Sequence, residues 1–167
     1  MLSIKDINEM PKEEFVQKIG WVFENTPWIS EIAWDCRPFQ SVHGLHNEMV
    51  QIVKKSKKNL QLELIRAHPD LGARIKMHPS SVNEQKGAGL DQLTEEEYRQ
   101  FQDLNQTYVD TFGFPFILAV KGHNKETIYA AMKDRIDHSQ AEEFETALQE
   151  IYKISLFRLQ DAINEVE

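Results

Sequence analysis

The densest chemistry in the chain is a histidine followed directly by proline, His68 in Ala67-His68-Pro69-Asp70-Leu71-Gly72. An unperturbed imidazole titrates near neutrality and can both take and return a proton. Proline lacks an amide donor and pushes the residue before it toward an extended conformation. His68 is therefore expected just past the end of the helix that carries Leu64 and Ile65, where its ring can point across a cleft. Ser80-Ser81-Val82-Asn83-Glu84-Gln85 follows about one loop later and offers hydroxyls, an amide and a carboxylate. A lone loop histidine is most often satisfied by a backbone carbonyl, and Asp70 suits a turn-stabilising Asx role as well as a catalytic one. The company of these residues shifts the balance toward chemistry.

Arg158 is the second anomaly. It lies seven residues after Ile151 and fourteen after Phe144, so on a helical period it projects from an apolar stripe. A guanidinium there needs an anion. A structural carboxylate such as Asp70 or Glu84 is one answer, and the carboxylate of a ligand, matched by a planar five-donor group, is the other. Arg135, near a helix end, is a secondary candidate for the same clamp and is otherwise read as a surface charge. His43 and His46 stand three apart and, with His68 or His78, have the makings of a metal site. No HExxH or CxxC companion supports them, so structural roles are expected and no metal is assigned. Gly87-Ala88-Gly89 lacks the other positions of a P-loop, a dinucleotide fingerprint or a nucleophile elbow, and reads as a place of close backbone approach.

The elements that must position these groups read as helix after helix. Pro11, Glu13 and Glu14 open a helix whose stripe is Phe15, Ile19, Val22 and Phe23; Pro27 opens a shorter one through Ile29, Ile32 and Ala33, closed by Pro38. Val42, Leu45, Met49, Ile52 and Val53 mark a third, which runs into the solvated Lys54-Lys55-Ser56-Lys57-Lys58. Leu60 to Ile65 form a short fourth. Capping boxes are expected at Ser81 with Glu84, Thr94 with Glu97, and Ser139 with Glu142. The helix after Thr94 is expected to bury Tyr98, Phe101, Leu104, Tyr108 and Phe112 and to stop at Gly113. Phe114-Pro115-Phe116-Ile117-Leu118-Ala119-Val120 alone looks strand-like, but with nothing to pair with it is read as a buried extended segment, with grading into a helix as the alternative. Ile128, Ala131 and Met132 mark another helix, and Phe144, Leu148, Ile151, Leu159 and Ala162 a long last one. The expectation is all-α, a single compact multi-helix domain over residues 1–167.

Composition narrows the function. A chain of 167 residues with 41% hydrophobic and 28% charged content has enough apolar surface for one core, and a net charge of −8 argues against nucleic acid or an anionic membrane as main partner. An anionic substrate must then meet a local basic pocket. The single cysteine, Cys36, excludes an intramolecular disulfide framework and is read as a packed thiol rather than a nucleophile. No apolar run is long enough to span a membrane, the N-terminus lacks a signal-peptide core and the C-terminus is no peroxisomal tripeptide, so a cytoplasmic location is expected.

Four stretches in order carry a resemblance: Ala67-His68-Pro69-Asp70-Leu71-Gly72; Ser81-x-x-Glu84-Gln85-x-x-Ala88-Gly89-Leu90; Phe112-Gly113-Phe114-Pro115-Phe116; and Ile151-x-x-Ile154-x-x-x-Arg158-Leu159. Together they resemble the OHCU decarboxylase family over nearly the whole chain. Its members remove carbon dioxide from 2-oxo-4-hydroxy-4-carboxy-5-ureidoimidazoline, late in urate breakdown, to give (S)-allantoin, on an all-α fold. The resemblance implies that His68 is the catalytic acid/base with Glu84 beside it. It further implies that Pro69, Ser81, Val82, Asn83, Glu84 and Gln85 line the substrate, that Phe116, Ile117, Leu118, Ala119 and Val120 add backbone contacts, and that Arg158 belongs to the pocket. It also implies a homodimer, no cofactor, no metal, and urate oxidase and hydroxyisourate hydrolase as functional neighbours. Two rival classes stand beside it. A metal-dependent hydrolase built on His43, His46 and His68 would bind a divalent ion stoichiometrically, and a non-catalytic helical interaction module would turn over nothing.

Overall fold

The structure is a computed structural model that describes residues 1–69 and 93–165. It is helical apart from one minimal strand pair, as the all-α reading expects, and divides into two compact units.

The first unit comprises Met1–Ala67 and the chain from Tyr152 onward. Strand β1 (Leu2–Ser3) runs into α1 (Ile4–Glu9), whose start is closed by a capping box: the Ser3 hydroxyl accepts from the Asp6 amide and the Asp6 carboxylate accepts from the Ser3 amide. Helix α2 (Lys12–Ile19) begins directly after Pro11 and buries Phe15 and Ile19. The expected continuation through Val22 and Phe23 does not occur. The chain tightens into a 3-10 turn at Gly20–Val22 and is extended at Phe23, although both Val22 and Phe23 remain buried. Gly20 explains the break, being a poor helix former set where a Cβ would lie 2.8 Å from the Ser30 hydroxyl of α3 (Pro27–Trp34).

Helix α3 starts with Pro27 in its first turn and buries Ile29, Ser30 and Ala33. Ile32, expected in the stripe, is 47% exposed, because it sits on the rim of the face that those three residues define. Helix α4 (Val42–Lys55) is capped by the Ser41 hydroxyl, which accepts from the Gly44 amide; it buries Val42, Leu45, Met49, Val50 and Val53. Helices α2 and α4 both pack on α3. The lysine run marks the junction of α4 with α5 (Lys58–Ala67), with Lys54 and Lys55 in the last turn of α4 where cations suit the macrodipole. Near the chain end β2 (Ile163–Asn164) pairs in parallel with β1, Leu2 opposite Ile163 and Ser3 opposite Asn164. The sequence offered no such pairing, since two residues are too few to leave a period of two.

The second unit is His68–Ile151. Helix α6 (Glu95–Phe112) opens with the expected Thr94–Glu97 capping box and stops at Gly113, whose φ of 77° is the left-handed conformation that glycine adopts cheaply. It buries Phe101, Tyr108 and Phe112, whereas Tyr98 and Leu104 flank that stripe and are only half-buried, contrary to expectation. Residues 114–120 belong to no helix or strand, and 114 and 116–120 are buried, as read from the sequence. Helix α7 (Lys125–Ile136) is capped by Asn124 with Thr127, and α8 (Gln140–Ala162) by the expected Ser139–Glu142 box. The Ser81–Glu84 box lies outside the described residues. No helix among the described residues is long and apolar enough to cross a membrane.

Candidate active site

Helix α5 ends at Ala67 and His68 follows at once, where the pre-proline restriction predicts a break. His68 is buried, at 5% exposure, and Pro69 is half-buried. Asp70, His78, Ser81, Val82, Asn83, Glu84, Gln85 and Gly87-Ala88-Gly89 lie outside the described residues.

Residues 116–120 are held by side chains of their own unit. The Ile117 carbonyl accepts from Arg135 Nη1 at 2.6 Å, the Ala119 amide donates to Glu150 Oε1 at 3.2 Å, and the Val120 carbonyl accepts from the His123 amide at 2.9 Å. The Arg135 guanidinium also lies over the Phe116 ring, 4.3 Å from its centroid, a cation on an aromatic face. Behind it stands Glu143, fully buried. Its Oε1 takes Arg135 Nε at 2.8 Å and the Tyr108 hydroxyl, and its Oε2 meets His138 Nδ1 at 2.9 Å. Arg135 is thus a buried, hydrogen-bonded charge, 6% exposed, and the surface-charge reading is corrected. It sits on the inward face of α7 beside Met132, and the position near a helix end hid that. Burial, then the hydrogen bond to Glu143, pushes the Tyr108 phenol well above its ordinary range, so it stays a donor. His138 is pushed up, mainly by the hydrogen bond to Glu143 and further by the charges of Glu143, Asp134 and Glu142.

In the first unit Arg158 is inward, as its period requires, at 2% exposure. Its Nη2 meets Glu24 Oε1 at 2.9 Å, its Nη1 reaches the Val22 carbonyl at 3.5 Å, and the guanidinium lies 5.9 Å from the Trp21 ring centroid. Of the two histidines three apart, His46 directs Nε2 to the Tyr152 carbonyl at 2.8 Å and the Ser155 hydroxyl at 3.2 Å, while His43 is exposed. Desolvation holds His46 below its ordinary value, which suits a neutral ring in a fold contact. Among the described residues no three potential ligands gather into a metal site. Cys36 is exposed just beyond α3 rather than packed, and partial desolvation with nearby Glu48 and Asp35 pushes its thiol up.

Two kinds of group escaped the sequence reading. Glu143 and Glu150 lie seven apart on the stripe that also carries Ala147 and Ile151, so the period that exposed Arg158 as inward was available for them too. Glu24, by contrast, follows a 3-10 turn, where no period marks the inward side.

A model of the OHCU decarboxylase family matches residues 8–160. The chain is 48% identical to the 2-oxo-4-hydroxy-4-carboxy-5-ureidoimidazoline decarboxylase of Halalkalicoccus jeotgali, over 96% of this chain and 91% of that protein. It is 45% identical over its whole length to a uric acid degradation bifunctional protein of Bacillus sp. strain TB-90, but spans only 33% of that protein. The crystal structure of an (S)-allantoin synthase superposes with a TM-score of 0.81 at 32% identity, covering 97% of this chain and 54% of that one. The chain is an all-α enzyme of the carboxy-lyase class. It belongs to the OHCU decarboxylase family.

Proposed function

We propose that the chain decarboxylates 2-oxo-4-hydroxy-4-carboxy-5-ureidoimidazoline to (S)-allantoin in urate breakdown. The family match, running through both compact units, carries the reading, and 48% identity to a decarboxylase of that substrate supports it. The two units are then parts of one catalytic domain.

The chemistry asks little of a cofactor. When carbon dioxide leaves, the bonding pair stays on the ring carbon and is accepted by the adjacent ring carbon–nitrogen double bond. The hydroxyl on the decarboxylated carbon then becomes the product carbonyl, and a proton is delivered to the neighbouring carbon that bears the ureido group. The protein orients the carboxylate out of the ring plane and delivers that proton to one face, which makes the product chiral. In this proposal His68 moves the proton and Glu84 positions the ring or the hydroxyl. Pro69, Ser81, Val82, Asn83 and Gln85 line the substrate, and Gln85 reads the ureido or ring amides. Residues 116–120 offer the backbone polar groups not used by Arg135, Glu150 and His123, and Arg158 serves the substrate carboxylate. A cytoplasmic homodimer is part of the same proposal. So is cooperation with urate oxidase and hydroxyisourate hydrolase, in line with the bifunctional relative.

The test generates the substrate in situ from urate and follows optically active allantoin by circular dichroism, with and without the protein. Proton transfer by a positioned side chain contributes roughly a hundred- to ten-thousand-fold. His68→Asn should lose that factor and return product formation to the racemic background, with the melting temperature nearly unchanged. Allantoin of one hand at close to the parent rate would move the acid/base role to Glu84. Exhaustive chelation should leave the rate unchanged; recovery of lost activity by added zinc or manganese would favour the hydrolase built on His43, His46 and His68 instead.

A further inference from the structure

Residues 114–120 belong to no helix or strand, so no ladder of hydrogen bonds sets where their backbone lies. Two of the bonds that hold them come instead from buried charged side chains, Arg135 on α7 and Glu150 on α8. Arg135 serves three partners with three different nitrogens: Nε on Glu143, Nη1 on the Ile117 carbonyl, and Nη2 toward the Tyr108 hydroxyl at 3.5 Å. The planar fork fixes the angles between these bonds, and its face covers Phe116. A buried ion pair is by itself a weak source of stability, so the fixed geometry of this one, rather than its energy, is what it offers the segment. The geometry imposed here is that of the backbone on either side of Leu118.

Resting on the reading that residues 116–120 contact the substrate, we infer that Arg135 is a positioning residue for the reaction. It holds the Ile117 carbonyl and the Phe116 ring in place while Glu143 and Tyr108 hold its guanidinium, and so sets how well the neighbouring backbone groups meet the ureidoimidazoline. Arg135 takes no part in proton transfer. Its loss therefore weakens binding of substrate and transition state alike, which raises KM and spares kcat.

The experiment compares wild type, Arg135→Lys and Tyr108→Phe in three measurements: kcat and KM on substrate freshly generated from urate, amide hydrogen exchange of residues 116–120, and thermal unfolding. Arg135→Lys keeps the charge but loses the fork, and we expect KM to rise roughly tenfold with kcat within about twofold and faster exchange in the segment. Tyr108→Phe should move KM in the same direction by about threefold, and it decides by the same split if Arg135→Lys does not fold. A folded Arg135→Lys with the parent KM overturns the inference, as does a fall in kcat at unchanged KM. Absence of enantioselective turnover by the wild type would instead overturn the decarboxylase reading, and the exchange measurement would still report whether Arg135 grips the segment.

Discussion

Among the described residues, each compact unit buries an arginine against a glutamate, and the two pairs are built differently. Arg135 meets Glu143 inside a cluster: the carboxylate also takes Tyr108 and His138, and the guanidinium also holds a backbone carbonyl and an aromatic face. Arg158 meets Glu24, which follows an irregular turn, at 2.9 Å, with the Val22 carbonyl only at the edge of hydrogen-bond range at 3.5 Å. The first arrangement satisfies its charges by local geometry and suits a structural device. The second joins side chains far apart in the sequence, and its arginine is the one proposed to serve the substrate carboxylate.

Removing the hub of the second unit should have the largest effect, because Glu143→Ala leaves Arg135 buried without its anion and His138 and Tyr108 without their acceptor. A loss of about 3–5 kcal/mol is expected in denaturant unfolding. A loss below about 1 kcal/mol, within the range of an exposed ion pair, would mean that the cluster is not the anchor of its unit. Arg158→Lys should do the opposite, holding stability closer to the parent while catalytic efficiency falls by roughly ten- to a hundredfold, since an ammonium cannot reproduce two parallel hydrogen bonds to a carboxylate. Unchanged efficiency in the folded variant would return Arg158 to a purely structural pairing with Glu24.

The smallest effects concern two histidines that respond to pH in opposite senses. His138 is raised above its ordinary 6.5 chiefly by its hydrogen bond to Glu143, so the folded state holds its proton more tightly than the unfolded chain does. Its contribution to stability is full below pH 6.5 and is lost as pH rises through the folded value. His46 is lowered from 6.5 by desolvation, so its contribution is present above pH 6.5 and lost as pH falls through the folded value. Stability measured against pH should therefore flatten on the alkaline side in His138→Gln and on the acid side in His46→Gln. The reverse assignment in imidazole chemical-shift titrations would break this contrast between the units.

Much of the fold was legible because helices write their periods and ends into the chain. The caps at Thr94 and Ser139, the stop at Gly113 and the inward turn of Arg158 all follow from rules that reach no more than a few turns along the sequence. The candidate site was legible where a local rule applied, as at His68 beside Pro69. It was not legible where a partner comes from another element: the Arg158–Glu24 pair spans 134 positions and the β1–β2 pair more still, and no periodicity encodes either.

Sequence by itself determined most of the helices from α2 onward, the larger part of their apolar faces, the break after α5 and the family, because propensity, capping and side-chain period act between near neighbours. Tertiary structure alone decided which carboxylate meets which arginine, that Ile32 and Cys36 stay exposed, and that the Ile117 carbonyl rests on Arg135. Those outcomes depend on packing between segments distant in the chain. There a single close approach decides which residue a position admits, as at Gly20, where a Cβ would lie 2.8 Å from the Ser30 hydroxyl.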